Sequence, residues 1–103
     1  MEFMHIGVVT DKVQQNETYA EDIKVYITDP EESPFKFEYL RFEKDSPLPE
    51  IMQKNPHVAF KVDALEPYLK DNEVIVEPFN VGENLKIAFI VKDGLVMELM
   101  EEC

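Results

Sequence analysis

The stretch NPHVAFKVD, residues 55–63, places a histidine at the mouth of an alternating apolar segment. MHIGVVTD, residues 4–11, has almost the same layout. His5-Ile6-Gly7-Val8 and His57-Val58-Ala59-Phe60 both read histidine, β-branched, small, apolar, and an aspartate follows each histidine six positions on, at Asp11 and Asp63. Later in each half stands a glutamate among apolar residues, in Phe37-Glu38-Tyr39-Leu40 and Met97-Glu98-Leu99-Met100. Two short matches in the same order point to an internal duplication.

The elements around these motifs support the same division. Residues 5–9 are rich in β-branched side chains and read as a strand. IKVYIT, residues 23–28, alternates in period two, DPEESP turns the chain with two prolines, and FKFEYLRFE pairs with it as a further strand. In the second half HVAFKV is a strand and DALEPYLKDN a short helix with Asp63 as its expected N-cap. EVIVEPF, LKIAFIV and LVMELME complete three strands joined at NVGEN and KDG. The second half therefore reads β-α-β-β-β. The first reads the same, with its helix and second strand shortened into the polar residues 12–22. KDSPLPEIMQKNP joins the halves, and its prolines argue against a long helix there. The expectation is a single domain over 1–103, with module one at about 1–46 and module two at about 55–103.

Composition limits what such a domain does. Apolar residues make up 45% and aromatics 11%, which suits a packed globule rather than a solvating acidic tail. With 22 acidic and 10 basic side chains the formal charge is −12, so the surface repels phosphate backbones and anionic lipid. Neither nucleic acid nor a membrane is an expected partner. Cys103 is the one cysteine, which excludes an internal disulfide and fits a reducing compartment. The N-terminal apolar run is too short for a signal peptide, and no window reaches the roughly 18 apolar residues of a span. A soluble, cytoplasmic protein is expected.

Taken singly, a strand-end histidine is usually structural and an alternating glutamate usually faces water. Their repetition changes that reading. If two like modules pack about a pseudo-twofold axis, His5, Glu38, His57 and Glu98 could converge as ligands of one divalent cation. Two imidazole nitrogens and two carboxylates suit zinc, nickel, iron or manganese.

The order HIGVV, FEYLRFE, NPHVAFKVDALE and GLVMELME resembles the glyoxalase/bleomycin-resistance proteins, the vicinal oxygen chelate superfamily, over most of the chain. The run from Glu38 to Glu66 is most similar to the methylmalonyl-CoA epimerase and lactoylglutathione lyase branches. That resemblance implies an α+β fold of two tandem βαβββ modules, the first one shortened, with a mixed curled sheet forming a cup. It places His5 and His57 on the first strands and Glu38 and Glu98 on the last strands, as ligands of a divalent metal. It further implies a lyase or isomerase that chelates neighbouring oxygens of a small-molecule substrate and moves a proton beside a carbonyl. Glu98 is the first choice of base and Glu38 the second. The alternative within the fold is a metal-free module that sequesters a small molecule. A ring-cleaving dioxygenase fits less well, since such sites use two histidines and one carboxylate.

One departure stands out: residues 12–22 are too few for the usual helix and second strand of module one. The pocket should be more open there or completed by a partner subunit, and a homodimer is expected. Tyr19, Tyr26, Tyr39 and Tyr68 read as core, and Arg41 as a surface ion pair with Glu38 or Glu43.

Overall fold

The computed structural model describes all 103 residues. They group into two compact units, one of His5–Pro56 and the other of His57–Cys103 together with Met1–Met4. The chain has the expected α+β fold, with eight strands in a mixed sheet arrangement and few, short helices.

In the unit of residues 57–103, β5 (His57–Lys61) runs parallel to β8 (Leu95–Glu102). β7 (Leu85–Lys92) lies antiparallel to β8, and β6 (Glu73–Val81) antiparallel to β7, giving the order β5-β8-β7-β6. The hairpin between β7 and β8 turns through Asp93 and Gly94, at φ 53° and 81°. Two successive residues of positive φ match the twist of the paired strands, which is why Asp-Gly stands there. Between β5 and β6 the helix α2 (Glu66–Lys70) lies over one sheet face. Val62, Leu65, Ala88, Ile90 and Leu99 form the buried cluster there, with Tyr68, Leu69 and Met97 packed against it.

α2 starts later than the expected cap. Leu65 is the N-cap, Pro67 sits in the first turn where it needs no N–H partner, and Asp63 is exposed. The backbone N–H of Leu65 donates instead to Oε1 of Glu101, at 2.8 Å. A carboxylate from β8 thus does the work expected of Asp63.

The unit of residues 5–56 repeats the order. β1 (Glu2–Val9) runs parallel to β4 (Phe37–Phe42), with β3 (Val25–Ile27) antiparallel to β4 and β2 (Thr18–Ala20) antiparallel to β3. The order β1-β4-β3-β2 matches β5-β8-β7-β6 strand for strand. The shortening expected of residues 12–22 is present: β2 has three residues, and no helix lies between β1 and β2. The connector holds a helix of five residues, α1 (Glu50–Lys54), which buries Met52.

The segment that replaces the helix is tied down by charge. Arg41 on β4 donates through Nε (3.0 Å) and a terminal nitrogen (2.8 Å) to the two oxygens of Glu17, and its guanidinium stacks over Tyr26 at 4.0 Å. Arg41 therefore pairs with Glu17 and not with Glu38 or Glu43, as expected from sequence proximity. Of the four tyrosines none is fully buried, and Tyr19 is exposed. The hydrogen bond from Arg41 holds the Glu17 carboxyl below its usual value of 4.5. A lowered folded-state value contributes stability above the unfolded value, and that contribution is lost as pH falls through the lowered one. In urea titrations, Glu17→Gln should be less stable than wild type at neutral pH, and the gap should close in acid below about pH 4.5. A gap independent of pH, or no gap at all, would mean that the charge of Glu17 adds nothing.

Candidate metal centre

Period two decides which side chains share a face. On β5, His57 and Ala59 point one way, while Val58 and Phe60 point the other. On β1 the corresponding residues are His5 and Gly7. Strand register then brings in the glutamates. Ala59 pairs with Glu98 across β5 and β8, and Gly7 pairs with Glu38 across β1 and β4. In both units the glutamate sits beside the residue two after the histidine, on a parallel neighbouring strand. In both, that residue is small.

Each small residue has a steric consequence. A glutamate at this position reaches its histidine diagonally across the two strands, and a larger side chain on the small residue beside it would crowd that approach. Nε2 of His57 lies 3.0 Å from Oε1 of Glu98, and Nε2 of His5 lies 3.3 Å from Oε1 of Glu38. Both histidines are buried, at 3% and 5% exposure, as is Glu98 at 7%. Phe89 of β7, the register partner of Glu98, sets its ring edge-on to His57 at 5.5 Å and 83°. It closes one side of the pair to water.

Buried histidine–carboxylate pairs are a poor way to stabilise a core. Desolvating charged groups offsets their attraction, and apolar packing of similar volume is often as stable or more so. Two such pairs, repeated in register, call for a use beyond packing.

Donor chemistry tests whether a cation fits. Zinc-type ligand distances of about 2.0–2.2 Å, at angles between octahedral and tetrahedral, separate neighbouring ligand atoms by roughly 2.8–3.6 Å. The N–O separations of 3.0 and 3.3 Å fall inside that range. In each unit, the imidazole nitrogen and carboxylate oxygen that would bind an ion are the atoms already facing one another. Each unit thus sets one histidine and one glutamate together as a pair of donors of the kind that can bind a metal ion.

Sequence reasoning singled out all four residues but gave no role to Gly7, Ala59 or Phe89. The signal for the first two was present, as the small residue in each histidine motif. Phe89 left no signal, because its place beside Glu98 depends on the β7–β8 register.

Comparison with known proteins identifies the fold. No family model matches the sequence, and neither does any curated protein. Among solved structures, a hypothetical protein from Bacillus halodurans superposes with a TM-score of 0.64 at 15% identity, over 99% of this chain and 94% of that one. Two β(α)βββ units, each with its first and fourth strands parallel, define the glyoxalase/bleomycin-resistance, or vicinal oxygen chelate, fold, and this chain has it. Methylmalonyl-CoA epimerase from Mycobacterium tuberculosis is also similar, with a TM-score of 0.59, 15% identity, and coverage of 99% of this chain and 88% of that one. No helix of the chain is long and apolar enough to cross a membrane.

Proposed function

We propose that the chain is a metal-dependent lyase or isomerase of the vicinal oxygen chelate type, which moves a proton next to a carbonyl in a small substrate. The observation that carries this reading is the contact between a buried histidine and a glutamate found once in each unit at the same strand register. His5, Glu38, His57 and Glu98 would hold the cation, one histidine and one glutamate from each unit. The cation would supply Lewis-acid polarisation of the substrate oxygens, worth several kcal/mol on the charge that develops there.

The remaining chemistry belongs to side chains. Proton abstraction beside a carbonyl needs a base within hydrogen-bond reach, and a carboxylate is suited to taking the proton and returning it. Glu98 is the first choice and Glu38 the second. Phe89 keeps water from the His57 side of the group, and electrostatic interactions in a dry site are stronger than in water. The fold shared with a methylmalonyl-CoA epimerase is compatible with this reading.

The test follows hydrogen. Wild-type protein loaded in turn with zinc, nickel, iron and manganese is incubated in heavy water with 2-oxoaldehydes and branched acyl thioesters, and exchange at the carbon beside the carbonyl is read by proton NMR. Metal-dependent exchange that a chelator abolishes is expected. Ligand binding that survives the chelator, with no exchange under any metal, would instead favour a sequestering module.

A further inference from the structure

The two units differ in what lies over two equivalent positions of their last strands. On β8, Met97 and Leu99 face away from Glu98 and lie under α2, with Leu99 fully buried. On β4 the corresponding residues are Phe37 and Tyr39, facing away from Glu38; no α-helix stands between β1 and β2, and the short 3-10 helix of residues 30–32 packs beside β4 instead. In place of a helix there is an open cavity of about 630 Å³, floored by Phe37 and Tyr39 and rimmed by Gln14, Asn16, Asp29 and Glu32 among others. That volume is in the range of small-molecule sites.

The lining indicates which ligand fits. Two carboxylates face the cavity and no lysine or arginine does. Of the cations close in sequence to the lining residues, Lys36 is paired with Glu31 and Arg41 with Glu17. Phe37 and Tyr39 meet edge to face, with centroids 6.1 Å apart. Aromatic rings attract cations through their quadrupole, and amide side chains such as Gln14 and Asn16 accept ammonium hydrogens. Asp29 already caps the turn at residues 30–32, accepting from the N–H of Glu31 at 2.9 Å, which leaves Glu32 as the freer charge. No cationic side chain lines the cavity to offset the charge of an anion.

We propose that this cavity binds a small organic cation, an ammonium carrying a flat apolar group, at a site separate from the His/Glu group. It occupies the space that α2 fills in the other unit, with its apolar part on Phe37 and Tyr39 and its charge toward Glu32. The proposal does not depend on metal binding or on proton transfer.

Three probes of matched size separate charge from shape: 2-phenylethylammonium, 2-phenylethanol and 3-phenylpropionate, each titrated into the full-length, isotope-labelled chain and followed by amide NMR. The ammonium should give saturable shifts confined to residues 14–16, 28–33 and 37–39, binding about threefold or more tighter than the alcohol, while the carboxylate should not saturate. Glu32→Gln, an exposed change on a turn, should bring the ammonium down to the affinity of the alcohol, and His57→Ala should leave it unchanged. No saturable shift with the ammonium, equal binding of all three probes, or loss of binding in His57→Ala would each overturn the proposal.

Discussion

The His57→Ala variant is expected to bind zinc, nickel, iron or manganese about 100-fold or more weakly than wild type, by calorimetry on metal-free protein. Loss of an outer partner of a metal ligand already costs 10- to 100-fold, so loss of the ligand itself should cost at least the upper end. The change removes an imidazole that is 3% exposed and lies 3.0 Å from Oε1 of Glu98. Glu98→Gln is the companion variant. It keeps the size and one oxygen of the side chain but removes its charge, so it should also weaken binding, though less. His5→Ala and Glu38→Gln should act in the same direction, because the first unit repeats the contact. If wild type takes up about one metal per chain and His57→Ala takes up as much with equal affinity, His57 is a structural residue and the proposed function fails with it.

Ala59→Val is the second large effect, and Ala88→Val is its control. Both alanines are completely buried on neighbouring parts of the same half-sheet. Ala59 pairs in register with Glu98, on the face that carries His57, whereas Ala88 belongs to the cluster under α2. Two added methyl groups overpack either site, so each variant should lose about 1–3 kcal/mol of stability in urea titrations. Only Ala59→Val should also lose metal affinity, by about tenfold or more, because valine would stand in the path by which Glu98 leans to His57. A merely structural role for Ala59 predicts similar losses of stability and unchanged metal binding in both variants. Ala59→Ser, close in size, should retain the affinity.

Much of this organisation is legible in the residues. Alternation in HVAFKV and IKVYIT, the Asp93–Gly94 turn and the doubled histidine motif are local features, and local features survive in a one-dimensional reading. The polar composition of residues 12–22 announced the missing helix for the same reason. Errors arose where a partner came from far along the chain. Asp63 looks like a helix cap, but the donor it would serve is taken by Glu101 on β8. Arg41 has acidic neighbours in sequence, yet its bidentate partner Glu17 comes from the loop that its strand faces.

The sequence by itself determined that there are two like halves, each with a histidine opening its first strand and a glutamate inside its last. It could not determine that the glutamates are equivalent in space, since 33 residues separate His5 from Glu38 and 41 separate His57 from Glu98. Tertiary structure decided that through parallel pairing, which sets Glu38 beside Gly7 and Glu98 beside Ala59 whatever the length of the chain between them. The physical reason is that register is chosen by which faces are buried, and a one-residue slip would turn every side chain of the strand to the wrong face.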